Sequence, residues 1–252
     1  MNTSAVDALQ SAPLQHAAAM RLLAAELQRT LDLLAQLDAA DWAAQTACPD
    51  WDVRRMYLHV LGACEGSASM REGVHQLRAA NKRQHRVGGP LEASLSAVQV
   101  SERESIAPAQ LVERLRSIAR KTVKARQRIP AIARRSIKIG VDGPVVEKWS
   151  LGYLVDTIYL RDMWMHRVDA SDATEREMVL SADHDGLIVA DVVGEWARRH
   201  GQPFTLELSG VAGGRFFAGA DGPAMVLDAT EFCRVLAGRS QGEGLLATIV
   251  PF

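Results

Sequence analysis

The chain has 252 residues, of which 48% are apolar and 23% are charged, and its 29 lysines and arginines nearly balance 30 aspartates and glutamates. This balance is typical of a globular protein and argues against a nucleic-acid binder that is basic throughout. The three cysteines include no CxxC pair, which argues against a disulfide scaffold and a cysteine zinc site. The N-terminus lacks the pattern of an export signal, and no apolar run reaches membrane-spanning length, so we expect a cytoplasmic protein without a membrane partner.

Helical periodicity dominates the first hundred residues. Leucines recur at helical spacing from Pro13 to Leu37 and predict a long amphipathic helix. A second helix is predicted to begin near Trp51 with Asp50 as its N-cap, and a weaker helical pattern extends from Met70 to Arg86. Glycines and polar residues from 88 to 106 predict a mobile connection.

Two further helices are predicted before residue 175. Apolar residues at a 3.6-residue period predict a helix over Leu111–Ile129, and Pro130 is expected to end or kink it because proline lacks the amide hydrogen. A loop is predicted at the turn-forming residues Gly140, Asp142, Gly143 and Pro144. Ser150 is then expected to cap a fourth helix over Leu151–Ala170.

The pattern changes near residue 174, where a small α+β domain is predicted to begin. A helix over Leu180–His200, closed by Gly201, precedes strand signals that are separated by glycine-rich turns. The elements predicted after it are strands over Phe204–Leu208, Arg215–Ala218 and Ala224–Leu227, a short helix over Thr230–Leu236 and a last strand over Ala247–Val250. The sequence therefore predicts an α-helical four-helix bundle over residues 1–175 and a small α+β domain over residues 176–252.

Three residues in the predicted bundle are candidate metal ligands. Asp162 and His166 stand four residues apart on a helix, so their side chains project from one face with Cβ atoms about 5–6 Å apart. They can share a cation, although a hydrogen bond on the helix surface explains the same spacing. His59 lies on an apolar stretch of the second helix and is the candidate third ligand, since bundles build metal sites from facing helices. A core histidine bonded to a carbonyl oxygen is the alternative for His59.

Three segments resemble the mycothiol-dependent maleylpyruvate isomerase family, whose members are DinB-like metal-binding helical bundles. The segments are Cys48–His59, Asp162–Asp169 and Asp228–Arg239, and the histidine eight residues after Trp51 is the most specific feature. Together these segments cover both predicted domains. The resemblance implies a DinB-like four-helix bundle with a small C-terminal α+β domain.

The resemblance also implies a reaction. By it His59, Asp162 and His166 are the three metal ligands, with zinc as the first choice and nickel, iron or manganese as metals that accept the same ligands. The implied partners are mycothiol or another small thiol and a small electrophile or unsaturated keto acid. A cation with one aspartate keeps a net positive charge, which favours a thiolate near neutral pH. The expected activity is cis–trans isomerisation of a maleylpyruvate-type substrate or transfer of the thiol to an electrophile.

Two carboxylates are expected to support the histidines from behind. Many members of the family have an acidic residue where this chain has Arg55, so we expect Asp52 to take its place beside His59. Asp169, three residues after His166, is the corresponding candidate for that histidine. An ion pair of Asp169 with a neighbouring arginine is an equally good explanation.

Two arginines in the C-terminal motif are candidate catalytic residues. Arg234 and Arg239 would hold the carboxylates of an anionic substrate if the C-terminal domain covers the bundle. Solvated arginines on a short helix are the alternative. Cys48 is a further candidate nucleophile because it precedes a helix start, whereas Cys64 and Cys233 are expected to pack as small apolar residues.

One stretch of the chain is strongly basic. Leu111–Gly140 contains ten lysines and arginines and one acid, Glu113. Such a cluster attracts anions or nucleic acid, but no aromatic residues interleave, so we predict a solvated helix face paired with acidic neighbours.

The rival function is a non-catalytic protein of the same fold that binds a metal or a small ligand. No particular oligomeric state is predicted.

Overall fold

This computed structural model describes residues 4–142 and 146–252. They group into two compact units, one formed by His16–Glu177 and the other by Met178–Phe252 together with residues 4–15. The first unit is helical and the second combines helices with a sheet, which confirms the predicted fold class. Residues 4–15 group with the second unit, although the sequence analysis assigned them to the bundle. None of the helices in the described ranges is long and apolar enough to cross a membrane.

Helices and strands are numbered in chain order across both units. The helices are α1 (His16–Leu34), α2 (Ala39–Trp42), α3 (Val53–Ala68), α4 (Met70–Val87), α5 (Leu91–Ser101), α6 (Pro108–Gln127), α7 (Ala131–Ser136), α8 (Leu151–Tyr153), α9 (Tyr159–Thr174), α10 (Asp185–His200) and α11 (Ala229–Leu236). The strands are β1 (Val6–Asp7), β2 (Lys138–Asp142), β3 (Val146–Ser150), β4 (Phe204–Ser209), β5 (Gly214–Ala218) and β6 (Ala224–Asp228). A π-helical turn, Leu154–Ile158, joins α8 to α9.

Four long helices form the bundle of the first unit. Helices α1 and α3 each contact both α6 and α9, so the four helices enclose a common interior. The leucines that predict α1 are buried there, as are the apolar residues of α3 on both sides of His59. Burial of one apolar stripe from each helix is the main stabilising contribution in such a bundle.

The helical segment that carries Asp162 and His166 begins as predicted. The hydroxyl of Ser150 accepts a hydrogen bond from the backbone amide of Tyr153 at 3.0 Å, which confirms the N-cap. The π-helical turn that follows holds one more residue than an α-helical turn and rotates α9 relative to α8. Asp156 in this turn contacts His16 at 2.6 Å and Arg134 at 3.0 Å. The turn is therefore tied to α1 and α7.

The mobile connection predicted after Gly88 is wrong, because α5 occupies most of it. Its buried polar residue Gln99 is bonded inside the unit. The amide of Gln99 donates to Gln76 Oε1 at 2.9 Å, and the amide of Gln76 donates to the carbonyl of Gly62 at 2.9 Å. The helices approach closely here, since a Cβ atom on Gly62 would lie 2.7 Å from Gln99 Cβ. Buried amides have the same sequence pattern as a polar loop, which explains the error.

The second predicted helix is present as α3, but its N-cap differs. The carboxylate of Asp52 accepts a hydrogen bond from the backbone amide of Arg55 at 2.7 Å. The preceding turn is closed by a hydrogen bond from Trp51 N to Cys48 O at 3.0 Å, so Asp50 lies inside that turn. The predicted cap at Asp50 is therefore wrong by two residues.

The loop predicted around Gly140 and Asp142 is instead part of a hairpin. Strand β2 pairs antiparallel with β3 over five residue pairs, from Lys138 opposite Ser150 to Asp142 opposite Val146. Gly143 and Pro144, which belong to the same prediction, lie outside the described residues. The sequence pattern did not indicate the two short strands.

The second unit is built on a four-stranded sheet in the order β1-β5-β4-β6. Strand β4 pairs antiparallel with β5 and parallel with β6, and β1 pairs parallel with β5. The three predicted strands are confirmed, as are α11 and the end of α10 at Gly201, whose φ of +64° suits glycine. The strand predicted over Ala247–Val250 is wrong, since Gly244–Ala247 forms a 3-10 turn. Strand β1 was missed because two residues show no alternation.

A buried ion pair joins α1 to α9 within the bundle. The guanidinium of Arg167 donates through Nε to Glu26 Oε1 at 2.7 Å and through Nη2 to Glu26 Oε2 at 2.9 Å. The Arg167 side chain is 2% exposed and that of Glu26 is 0% exposed, so both charges are removed from water. Two parallel charge-assisted hydrogen bonds offset the cost of this desolvation.

Glu26→Gln is expected to lower the free energy of unfolding by about 3–5 kcal/mol, because it leaves the Arg167 charge buried without its counterion. Denaturant unfolding followed by far-UV circular dichroism measures the change. The matched control is Glu113→Gln, which breaks the exposed pair with Arg116 and is expected to cost at most about 1 kcal/mol. Equal losses in the two variants would contradict the prediction.

Candidate metal centre

The structure brings His59, Asp162 and His166 together in the interior of the bundle. His59 lies near the middle of α3, and the other two lie one turn apart on α9. Asp162 faces both rings, with Oδ2 3.8 Å from His59 Nε2 and Oδ1 3.3 Å from His166 Nε2. One donor atom from each residue lies within 4.8 Å of the others. The three side chains therefore converge closely enough to share one cation.

The three side chains differ in their access to solvent. The side chain of His166 is 5% exposed and that of His59 is 13% exposed, whereas that of Asp162 is 31% exposed. The two rings thus form the closed side of the cluster, and the carboxylate forms its open side. Asp162 is therefore the member of the cluster with the most contact with solvent.

Electrostatic attraction outweighs burial at this cluster. Burial by itself would raise the pKa of Asp162, but the two histidines hold the pKa of this carboxyl well below its ordinary value. Burial would lower the pKa of His166, but Asp162, supported by Asp169, raises it to about 10. Without a cation, the pair is therefore a carboxylate and an imidazolium at neutral pH.

The ring nitrogens test whether the cluster fits a metal ion. Across residues 4–142 and 146–252, Nδ1 of His59 and both ring nitrogens of His166 are buried without a hydrogen bond of ordinary geometry, and the carboxylates nearest to His166 lie 3.3 and 3.6 Å from its two nitrogens. Buried polar atoms in this state are costly and rare, and they call for a ligand. Two imidazoles and one carboxylate are also the donor set of many catalytic zinc sites, which keep further positions open. The residues present therefore fit a divalent cation.

Three further side chains hold the histidines in place. The buried carboxylate of Asp169 lies 3.6 Å from His166 Nδ1, on the side of the ring away from Asp162. The indole of Trp51 stacks on His59 with ring centroids 5.1 Å apart and planes inclined by 27°. The phenol of Tyr57 donates to the backbone carbonyl of His166 at 3.3 Å. A carboxylate behind a ligand histidine fixes its orientation and raises its basicity.

Asp52 has a different role from the predicted one. Its carboxylate caps α3, and the face of the His59 ring is covered by Trp51. Arg55, which stands where many members of the family have an acid, lies 3.3 Å from Glu104. The expectation that Asp52 supports His59 is therefore wrong, because a helix cap and a histidine partner need the carboxylate in different directions.

Cys48 lies next to the cluster, which the sequence analysis did not foresee. Its sulfur is 4.0 Å from Asp169 Oδ2, and donor atoms of Cys48, His166 and Asp169 lie within 4.8 Å of one another. The turn before α3 brings the thiol to this position. Cys64 and Cys233 are fully buried, as predicted, and burial raises the pKa of the Cys64 thiol.

Arg234 and Arg239 belong to the second unit. The guanidinium of Arg234 lies 3.3 Å from Glu231 on the same helix, α11. Arg239 follows that helix, and its backbone amide donates to the carbonyl of Arg234 at 2.8 Å. Both arginines therefore have defined places at the end of α11, and their role in substrate binding stays a prediction.

The expected pairing of the basic stretch with acidic neighbours is found for few of its residues. Arg116 contacts Glu113 at 2.9 Å, and Arg134 contacts Asp156 at 3.0 Å. The exposed residues of the stretch for which the described part of the chain supplies no ion pair are Arg114, Arg120, Lys121, Lys124, Arg128, Arg135 and Lys138. Arg126 is different because it is buried. The stretch is a solvated basic face, and the prediction of acidic partners is wrong for most of it.

Two solved structures are similar to this chain over 90% of its length and 90% of theirs. One is a mycothiol-dependent maleylpyruvate isomerase, with 15% sequence identity and a TM-score of 0.57. The other is a mutant of a mycothiol-dependent maleylpyruvate isomerase, with 15% identity and a TM-score of 0.56. At this identity the likeness establishes the fold. A search of curated protein sequences found no significant match.

A protein family gives the more specific result. The family described as mycothiol maleylpyruvate isomerase N-terminal domain matches residues 23–171. This range is more than half of the chain, and it contains His59, Asp162 and His166. The chain therefore belongs to the mycothiol maleylpyruvate isomerase N-terminal domain family.

Proposed function

We propose that this protein is a metal-dependent enzyme that uses mycothiol or a similar small thiol. Its reaction is the cis–trans isomerisation of a maleylpyruvate-type substrate or the transfer of the thiol to a small electrophile. The observation that carries the proposal is the convergence of two imidazoles and one carboxylate in the bundle, with buried ring nitrogens that lack hydrogen bonds of ordinary geometry. Membership of the family and the likeness to solved isomerases support the same reaction class.

In this proposal His59, Asp162 and His166 hold the cation. Zinc is the first choice, and nickel, iron or manganese accept the same donors, because availability rather than raw affinity decides which metal is bound. When bound, the metal lowers the pKa of a small thiol so that a thiolate forms near neutral pH. The exposed side of Asp162 leaves room for the thiol and the substrate to approach.

The thiolate supplies the covalent chemistry of the isomerisation. Its sulfur adds to a cis double bond that is conjugated with a ketone, which converts the double bond to a single bond that can rotate. Elimination of the same thiolate restores the double bond in the trans form, so the thiol is recovered unchanged. In S-transfer to such a double bond, the proton that the thiol released returns to the carbon next to the new carbon–sulfur bond, so the sulfur stays on the electrophile and the thiol is consumed.

The residues around the cluster prepare it for this chemistry. Asp169 orients the ring of His166 and keeps one nitrogen directed toward Asp162. Trp51 covers one face of His59, which limits the rotation of that ring and excludes water from it. Preorganisation of this kind reduces the reorganisation needed when ligands bind.

A direct test measures metal content and turnover on the full-length protein. The zinc-loaded protein is expected to hold about one zinc per chain and to isomerise maleylpyruvate only when mycothiol is present. His166→Ala is expected to lose the bound zinc and the activity together, whereas His75→Ala, an exposed control that contacts Glu102 at 2.9 Å, keeps both. Stoichiometric zinc without any acceleration of thiol addition would favour the non-catalytic rival.

Asp169→Asn is expected to weaken zinc binding by about 10–100-fold, because the amide no longer orients His166 or raises its basicity. Competition with a chromophoric chelator measures the affinity. The control Asp172→Asn changes a nearby carboxylate of α9 outside the candidate cluster and is expected to leave the affinity unchanged. An Asp169→Asn affinity equal to that of the wild type would show that Asp169 has no positioning role.

Zinc affinity is expected to rise with pH up to about pH 9. The pKa of His166 is raised to about 10, so below that pH a cation has to displace a proton from the ring. Release of one proton corresponds to about a tenfold gain in affinity per pH unit. Isothermal titration in buffers of different ionisation enthalpy counts the protons released. An affinity that does not change between pH 6 and pH 9 would contradict the assignment of His166 as a ligand.

A further inference from the structure

One buried arginine of the bundle interior lacks a carboxylate partner. Arg126, on α6, is 3% exposed. Its Nε and Nη2 donate to the hydroxyl of Ser67 at 3.2 and 3.0 Å, and its guanidinium lies over the ring of Tyr159 at 4.0 Å. Within the described residues, Nη1 is buried without a hydrogen-bond partner and no carboxylate pairs with this side chain. The charge is therefore held in the interior by neutral groups alone.

Arg103 and Arg167, two other buried arginines of the bundle, show the usual arrangement. Arg103 donates to the carboxylates of Glu65 at 2.8 Å and Glu72 at 2.7 Å, and Arg167 pairs with Glu26. A buried charge without a counterion costs several kcal/mol, so proteins pair nearly all of them. A hydroxyl and an aromatic face do not neutralise the charge of Arg126. The site is therefore incomplete without an anion.

Three helices position Arg126 on the same inner side of the bundle as the candidate metal centre. Tyr159, beneath the guanidinium, precedes Asp162 by three residues on α9, so the two side chains are neighbours on one helix face. Ser67 follows His59 by eight residues on α3, a rise of about 12 Å. By these spacings the contacts of Arg126 lie about one helical turn from Asp162 on α9 and just over two turns from His59 on α3.

The charges of Arg126 and Asp162 act on the same buried groups of the bundle. Burial raises the pKa of the Tyr159 phenol; the charge of Arg126 lowers it, and the charge of Asp162 raises it. The pKa of the Cys64 thiol is likewise raised by burial and by the charge of Asp162 and lowered by the charge of Arg126. A substrate in contact with the centre would therefore also lie in the field of Arg126.

We propose that Arg126 binds a carboxylate of the substrate and is a specificity-determining residue of the same site. This inference rests on the proposed function, since it assigns the second contact of the same substrate. Nη1 offers an unused donor, and a guanidinium forms strong charge-assisted hydrogen bonds with a carboxylate. The separation from the centre suits an acid whose carboxylate lies several ångströms from the reacting carbon, as in a dicarboxylic keto acid.

The assignment also explains the use of an arginine where the fold does not need one. If Arg126 served only the fold, a volume-matched apolar residue would pack against Tyr159 at no desolvation cost. Replacing a buried, uncompensated charge with an apolar side chain is often neutral or stabilising. A residue that is retained against stability is expected at a binding site.

The test is a binding titration of the full-length protein with maleate, a small cis-dicarboxylate, followed by isothermal calorimetry with and without zinc. Arg126→Met is expected to weaken maleate binding by at least about tenfold, because the variant loses the charged hydrogen bond. Arg126→Lys is expected to weaken it by less, because lysine keeps the positive charge and part of that hydrogen bond. Arg120→Met, an exposed residue of the same helix, is the charge-matched control and keeps the wild-type affinity.

Thermal unfolding provides a second readout. Maleate is expected to raise the Tm of the wild type but not that of Arg126→Met, and Arg126→Met alone is expected to unfold at the wild-type temperature or above it. If the methionine variant does not fold, Arg126→Gln, which removes the charge and keeps a polar group for Ser67, gives the same comparison. A lower Tm with unchanged maleate affinity would mean that Arg126 is purely structural and would overturn the proposal.

The outcomes also separate this proposal from the proposed function. Wild-type protein that does not bind maleate, or a variant that binds it as well as the wild type, overturns the role of Arg126 even if zinc and thiol turnover are found. Loss of maleate binding in Arg126→Met supports that role even if the protein holds no zinc and has no turnover, in which case only the proposed function fails.

Discussion

The orientation of α9 depends on one buried ion pair that takes no part in the chemistry. Arg167 is anchored to Glu26 of α1 by two short hydrogen bonds in a region closed to water. Neighbouring residues of a helix point about 100° apart, so directing Arg167 toward α1 turns His166 toward α3. The same rotation brings Asp162 in front of His59 and places Asp169 behind His166. The pair therefore contributes to the helix rotation that brings the residues of the candidate centre together.

Charge is distributed unevenly through the interior of the bundle, and this shapes what it can bind. Around the candidate centre the carboxylates of Asp162 and Asp169 surround His166, which makes the position attractive to a cation. Arg126, whose contact on α9 lies about one helical turn from Asp162, stands with a hydroxyl and an aromatic ring but no carboxylate. A molecule with a nucleophile or carbonyl at one end and a carboxylate at the other matches both regions. These two regions are the basis of the proposed metal centre and of the proposed carboxylate contact.

Residue chemistry explains which elements were predicted and which were missed. Helices α1 and α3 carry strong apolar periodicity, so their existence follows from burial of one face, whereas most residues of α9 are buried on every side of the helix. Helix α5 was missed because its polar residues, among them Gln99, are bonded to amides of other helices. The cap at Asp52 depends on the geometry of the preceding turn. Strand β1 depends on its pairing with β5, which is distant in sequence. Local patterns carry little information about such partners.

The sequence by itself determined the helical spacing of Asp162 and His166, because a four-residue interval has the same geometry in any α-helix. The position of His59 on an apolar helix stretch made it the candidate third ligand, and the resemblance to the family added the thiol chemistry. Only the tertiary structure decided that Trp51 and Asp169 hold the two rings and that Arg126, one of ten basic residues in its stretch, is buried near the centre while most of the others face solvent. Those features depend on how helices rotate and pack against each other, and that packing is set by contacts between residues far apart along the chain.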